Sequence, residues 1–231
     1  MTPTPTWTPT STEDIRLVVL DMAGTTVADG GLVEQAFTAA ARHLGADPDR
    51  MIDYVRATMG ESKISVFRHL FGEEARAQEA NRAFEAAYAE LVDAGRVEAL
   101  PGARETIEEL QGRGRTVVLT TGFARATQDA ILAALGWQDL VPLTLCPADA
   151  GGRGRPCPDM VLTAFLRTRA ADGVGQIAVV GDTSYDMLSG VRAGAGLVAG
   201  VLTGAHDADA LRAAGATLVL DSVADLPGAL A

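Results

Sequence analysis

The sequence predicts an α/β fold: a mostly parallel sheet covered on both faces by helices, with one helical insert. Three observations predict it. Short apolar runs ending in a polar or glycine turn recur along the chain, and helical stretches separate them. The alternation fails once, between about residues 32 and 99, where only helical spacing of apolar residues is found. Strand and helix in alternation imply parallel strands joined by crossover helices. With 231 residues, 48% of them hydrophobic, the chain can form one large domain or a main domain with a smaller insert.

The elements follow in order. The opening "MTPTPTWTPTSTED", residues 1–14, is rich in Thr and Pro. It has neither a basic start nor an apolar stretch, so it reads as a disordered tail and not as a secretory signal. "IRLVVLD", residues 15–21, reads as a buried strand that opens into a loop at Asp21. The core is expected to span residues 15–31 and 100–231, and a helical cap residues 32–99. "EQAFTAAARHLG" and "ARAQEANRAFEAAYAELVDAG" carry the helical spacing in that insert. Further strands are expected in "RTVVLTTG" (115–122), "QIAVVGDTSYD" (176–186), "GLVAGVLTG" (196–204) and "ATLVLDS" (216–222). "GARETIEELQGRG", "RATQDAILAALG", "PDMVLTAFLRTRA" and "YDMLSGVRAGAG" supply the helices between them. No repeat of solenoid length is present.

A net charge of −11 speaks against a broad nucleic-acid surface, which needs a basic face. A small anionic substrate is compatible, because one local site can be positive on an acidic protein. The two cysteines, Cys146 and Cys157, form no C-x-x-C pair and join no His/Cys cluster. They imply reduced thiols and a cytoplasmic protein. Cys157, between two prolines, is the thiol to consider for reactivity. No apolar run is long enough to cross a membrane.

In open parallel sheets, ligands bind beyond the carboxyl ends of the strands. Asp21, Thr120, Thr121 and Asp182 all fall at such ends. Each acid alone would serve equally as a turn or helix-capping residue. Together they place carboxylates and hydroxyls on one rim. A further oddity is "MGESKIS", residues 59–65. Lys63 is the only lysine, and all the remaining basic residues among the 19 are arginine. An ammonium can lose its proton and become a nucleophile, whereas a guanidinium cannot. Coding bias alone could also leave one lysine behind.

These residues resemble the haloacid dehalogenase (HAD) superfamily over nearly the whole chain after the tail. "LDMAGTT" resembles its first motif, with Asp21 as nucleophile. "VLTTG" resembles the second, with Thr121 as phosphate ligand. "GRGRPCPD" resembles the third, with Arg155 where many members carry lysine. "VVGDTSYDM" resembles the fourth, with Asp182 and Asp186 near a magnesium ion. The resemblance implies a Rossmann-like core with an inserted cap, Mg²⁺ as cofactor, and a homodimer paired through the cap. Asp21, Asp182 and the backbone carbonyl of Ala23 would hold the ion. Thr121, Gly122 and Thr25 would bind the substrate. Arg155 would neutralise the transferring group, unless it only makes a surface ion pair.

Ala23 departs from most HAD phosphatases, which carry a second aspartate there to protonate the leaving alkoxide. "DMAGTT" resembles the phosphonatase branch, phosphonoacetaldehyde hydrolase and its relatives, which share the alanine. That branch carries a cap lysine in a segment like "MGESKI". The resemblance implies that Lys63 forms a Schiff base with a substrate aldehyde, so that a P–C bond breaks with an enamine as leaving group. Asp21 would carry the phosphoryl group as an aspartyl-phosphate. Lys63 as a cationic clamp in a phosphate monoesterase, or as a structural residue, are the other readings. A non-catalytic binding protein is a third class. Met59 would pack against the ligand or in the core. The branch's histidine, three residues after the lysine, is Val66 here. His69 lies about 600° of helix rotation from Lys63 and reads as a packing or surface residue. Phe123 stands where the branch has a tyrosine, and Gly31 where it has a cysteine. These departures imply a phosphonatase-like hydrolase whose substrate differs from phosphonoacetaldehyde.

Overall fold

The computed structural model describes residues 12–231. The expectation of a disordered tail lies outside the described residues, save for Thr12–Asp14, which form one 3₁₀ turn. The core is a six-stranded, all-parallel sheet in the order β3-β2-β1-β4-β5-β6. The strands are β1 (Leu17–Asp21), β2 (Thr116–Thr120), β3 (Leu143–Leu145), β4 (Ile177–Gly181), β5 (Leu197–Val201) and β6 (Leu218–Leu220). All five residues of β1 are buried, as a central strand with helices on both faces requires. This is the predicted α/β class.

One strand escaped the sequence reading. β3 has three residues, two of them half-buried, and pairs only with β2. An edge strand this short between prolines carries too little apolar pattern to stand out.

Between β1 and β2 the chain forms α1 (Leu32–His43), α2 (Ile52–Ala57), α3 (Lys63–Phe71) and α4 (Glu74–Asp93), with α5 (Ala103–Gly112) returning to the sheet. Val27 bridges Ala99, and the Ala28 N–H donates to the Glu98 carbonyl at 2.9 Å, so the chain leaves and re-enters the core at one point. The later crossovers use α6 (Arg125–Leu135), α7 (Asp159–Thr168), α8 (Ser184–Ala193) and α9 (Ala208–Ala213). α10 (Leu226–Ala229) closes the chain.

An aromatic cluster fills the cap and reaches into the core. Phe37 stacks on Phe67 with centroids 5.5 Å apart, and Phe67 meets Phe84 edge-on at 6.0 Å. Phe123, in the loop after β2, packs on Phe84 at 6.2 Å and on Tyr88 at 4.8 Å. A core-loop ring thus sits inside the cap's apolar interior. Aromatic pairs of this kind contribute about 0.5–1.5 kcal/mol each beyond their buried area. Among the described residues no helix is long and apolar enough to cross a membrane.

Candidate active site

The chain runs outward from β1 to β3 on one side and from β4 to β6 on the other. The order reverses between β1 and β4, where an open α/β sheet forms its crevice. Asp21 ends β1 and Asp182 follows β4, so the two acids meet at that crevice. Asp186 joins them from the first turn of α8. Carboxylate oxygens of Asp21, Asp182 and Asp186 all lie within 4.8 Å of one another, and all three residues are buried.

Each acid is fixed by specific partners. Asp21 Oδ1 lies 2.6 Å from Arg155 Nη2. Asp182 Oδ2 accepts the Ala205 N–H at 2.9 Å, and its Oδ1 accepts the Thr25 hydroxyl at 3.2 Å. Asp186 closes a capping box at the start of α8: its Oδ2 accepts from the Thr183 N–H at 3.1 Å and from the Thr183 hydroxyl at 2.5 Å. Its Oδ1 pairs with Arg155 Nε at 2.7 Å. Gly24, with φ of 87°, brings backbone against Asp182 so closely that any Cβ there would collide with the carboxylate.

Burial raises the pKa of Asp21 well above the usual carboxylate value; Arg155 offsets part of this, and Asp186 and Asp182 add to it. Asp182 is pushed up to about 7 by burial and by Asp186. Burial alone would lower the Arg155 pKa, but Asp186 and Asp21 outweigh it and raise it. Arg155 is buried, unlike a surface ion pair, and also donates to the Thr120 hydroxyl at 2.7 Å. Three crowded carboxylates facing one guanidinium form a hard, oxygen-only donor set whose repulsion a divalent cation relieves. The residues fit Mg²⁺ on that chemistry.

A cavity of about 420 Å³ opens above these acids, beneath the cap. Of the residues singled out in the sequence, Asp21, Ala23, Thr121, Gly122, Arg155 and Asp182 line it from the core. Met59 and Lys63 line it from the cap. Thr25 and Asp186 do not. The Thr25 hydroxyl is spent on Asp182, and both Asp186 oxygens are taken by Thr183 and Arg155. Thr121 Oγ1 accepts the Phe123 N–H at 3.2 Å, which shapes the loop after β2.

Lys63 is the first residue of α3. Its Nζ lies 5.5 Å from the Phe123 ring centroid. Burial lowers the amine's pKa; Asp29 and then Asp21 oppose the shift, and Arg155 reinforces it. His69 is exposed and stacks on Tyr54 at 4.1 Å, a packing role. Val66 is buried in the cap. Cys157 is half-buried and its carbonyl accepts the Ser189 hydroxyl at 2.9 Å; it does not line the cavity.

Sequence reasoning missed three contributors to this cavity. Asp29, in the loop before α1, lines it beside Lys63. Glu34 and Arg56 form a two-pronged ion pair at 2.7 and 2.9 Å, joining α1 to α2 on its wall. Thr203 to Ala205, after β5, complete the rim, and the Thr203 hydroxyl donates to the Gly24 carbonyl at 2.7 Å. A polar residue beside a strand-end glycine, as in "VLTG", was the available signal for the last of these.

The profile of the haloacid dehalogenase-like hydrolases matches residues 15–194. The chain is 32% identical over 220 residues to "Probable phosphatase IndB" of Dickeya dadantii, covering 92% of each. It is 27% identical over 257 residues to the phosphonoacetaldehyde hydrolase of Salmonella paratyphi A, covering 94% of each. Among solved structures, a phosphonoacetaldehyde hydrolase-like protein from Oleispira antarctica shares the fold with a TM-score of 0.83 at 24% identity, over 100% of this chain and 95% of that one. A hydrolase from Pseudomonas syringae does so with a TM-score of 0.82 at 24% identity, over 93% of this chain and 97% of that one. On the profile and the relatives together, the chain belongs to the haloacid dehalogenase-like hydrolases.

Proposed function

We propose that the protein is a Mg²⁺-dependent hydrolase of a small phosphonate, cleaving a P–C bond with Lys63 as imine-forming amine and Asp21 as phosphoryl acceptor. One observation supports this most directly: the Lys63 amine, desolvated and the only one in the chain, lines the same cavity as Asp21. Ala23 lines it too, so no side-chain acid stands two residues after the nucleophile. An alkoxide leaving group would go unassisted from that position, whereas an enamine needs no oxygen protonated.

Asp21, Asp182 and the Ala23 carbonyl would hold Mg²⁺, with Asp186 beside them. When bound, the ion supplies charge neutralisation and orientation of the transferring group. Lys63 condenses with the substrate carbonyl, and the protonated imine draws electrons from the adjacent carbon. Asp21 then attacks phosphorus in line, and the P–C bonding pair moves into the enamine. Arg155, locked between Asp21 and Asp186, faces the charge that builds on the phosphoryl oxygens. Thr121 and neighbouring backbone N–H groups orient those oxygens. Water releases phosphate from the aspartyl-phosphate; a proton adds to the enamine carbon, and hydrolysis of the resulting imine frees the aldehyde and Lys63.

The test is incubation with phosphonoacetaldehyde and borohydride, followed by peptide mass mapping. A reduced adduct at Lys63, lost in Lys63→Arg, is the expected result. Phosphate release with no adduct overturns the imine.

A second reading, phosphate monoester hydrolysis with Lys63 as a clamp, has its own support. The relative named a probable phosphatase is more similar than the phosphonoacetaldehyde hydrolase, at 32% against 27% identity. The reading predicts turnover of aryl and acyl phosphates and slow turnover of alkyl phosphates, because no acid stands at residue 23.

A further inference from the structure

Imine formation needs a group that moves protons between the amine, the carbinolamine oxygen and the departing water. Among the described residues no histidine lines the cavity: His43 and His69 are exposed on the cap, His69 stacked on Tyr54, and Val66 is buried in the cap's core. We propose that Asp29 is the proton-transfer residue for the chemistry at Lys63, an inference that rests on the imine reading above.

Geometry carries it. Asp29 lines the cavity with Lys63 and Asp21, and it stands in the loop between β1 and α1, apart from the three clustered carboxylates. Its carboxylate is held by two backbone donors, the Gly31 N–H to Oδ2 at 3.2 Å and the Val33 N–H to Oδ1 at 3.3 Å. The group is therefore fixed in place, and not free to wander. Among the charges acting on the Lys63 amine, Asp29 is the strongest, ahead of Asp21. The reverse also holds, since Lys63 is the cation that acts on Asp29. Burial raises the Asp29 pKa, which suits a carboxyl that must both take and give a proton. The Tyr88 hydroxyl, buried and without a hydrogen-bond partner among the described residues, also feels the Asp29 charge. The Tyr88 ring packs on Phe123 at 4.8 Å.

The steps balance. The Asp29 carboxylate takes a proton from the Lys63 ammonium, and the neutral amine adds to the carbonyl carbon. The C–N bond forms and the C=O π pair goes to oxygen. Asp29 protonates that oxygen, then takes a proton from the new secondary ammonium. It returns this proton to the hydroxyl, which leaves as water while the nitrogen pair forms the C=N bond. Asp29 ends as the carboxylate it began as, and the protonated imine is ready for P–C cleavage.

The plain alternative is that Asp29 only caps the start of α1 and holds positive charge on Lys63. The two roles predict opposite signs. Removing a carboxylate that stabilises the ammonium raises the neutral fraction of the amine, so a merely electrostatic Asp29 predicts faster imine formation in Asp29→Asn. A proton carrier predicts slower formation, by about 10²-fold or more. Asparagine keeps an acceptor for one of the two capping bonds.

The experiment measures the rate of borohydride-trapped adduct at Lys63 with propionaldehyde, a phosphorus-free aldehyde that makes no demand on Asp21. It compares wild type, Asp29→Asn, and Asp29→Ser with and without formate. Serine caps a helix well and leaves room for the added acid. Slow trapping in both variants, with formate restoring Asp29→Ser, is the expected result. Trapping in Asp29→Asn at the wild-type rate or faster overturns the proposal. Absence of any Lys63 adduct in wild type, with both aldehydes, overturns the imine reading itself and this inference with it.

Discussion

The backbone N–H of Lys63 donates to the carbonyl of Gly122, 3.4 Å away, tying the first turn of α3 to the loop after β2. The cap amine and the rim of the core are thus joined through the same residue that carries the amine. Gly60, three residues earlier, makes a second close approach. Its φ is 91°, and a Cβ there would collide with the side chain of Thr183. Gly60→Ala is expected to lift the cap from the core. Displacing a reacting group by about 1 Å can cost about 10² in rate, so kcat/KM should fall by that order. The left-handed backbone adds about 1–2 kcal/mol of strain. Steady-state kinetics beside a thermal melt checks this, and an unchanged kcat/KM would contradict it.

Arg155 bridges two buried acids with one planar fork. Lysine offers a single point charge and cannot meet Asp21, Asp186 and Thr120 together. Arg155→Lys should therefore reduce kcat by about 10²–10³ while the fold survives. Arg155→Met leaves both carboxylates without their cation. It should cost about 3–5 kcal/mol of stability, or roughly 10 °C in Tm for a chain of this size. Circular dichroism melts of the two variants distinguish the effects.

The acid cluster also sets how stability follows pH. Asp182 has a folded-state pKa pushed up to about 7 from an ordinary 3.8, and that of Asp21 is raised in the same direction. The folded state thus binds more protons than the unfolded chain across that window. Stability from these neutral carboxyls is full below about pH 3.8 and is lost as pH rises through about 7. The Tm of metal-free protein should therefore carry a falling contribution between pH 4 and 7, of which Asp182→Asn removes the part due to Asp182. Added Mg²⁺ should raise Tm most above pH 7, where the carboxylates are ionised. A Mg²⁺-induced shift equal at pH 5 and pH 8 would count against the cluster as its site.

Much of this site was legible because strand ends announce themselves. Asp21, Thr121 and Asp182 each close an apolar run, and the open-sheet rule puts such residues on one rim. Lys63 was visible as a compositional singularity. Thr25 was legible as part of the first motif but not in its job, because only three dimensions show its hydroxyl turned to Asp182 and away from the cavity. Asp29 was invisible for the opposite reason: "VADGG" looks like any turn before a helix, and its two capping bonds agree with that reading. Phe123 read as a lost hydroxyl, whereas its ring joins core to cap. β3 failed to register because three residues on an edge hold too little pattern.

Lys63 has an ammonium that burial disfavours, so its folded pKa lies below the ordinary value near 10.5. Imine trapping should rise with pH as the amine deprotonates and level off below that ordinary value. Lys63→Arg should show no adduct at any pH, since the guanidinium stays charged. For the clamp reading, Lys63→Arg instead keeps phosphatase activity within about tenfold, because the charge survives. Measuring both activities on one preparation separates the two roles.

Ala23 offers the sharpest reversal. It lines the cavity, half-buried, at the position from which a carboxyl would face the leaving group. Restoring an acid by Ala23→Asp should favour departure of an alkoxide, which needs a proton, over departure of an enamine, which does not. General acid catalysis contributes about 10²–10⁴-fold, most for poor leaving groups. The variant is therefore expected to gain on alkyl phosphates relative to nitrophenyl phosphate by at least about 10-fold, and to lose P–C cleavage. The added carboxylate also enters a cluster already short of positive charge, so its Mg²⁺ requirement should become stricter. A flat ratio of alkyl to aryl phosphate turnover between wild type and variant would mean that proton delivery at residue 23 is not what this cavity lacks.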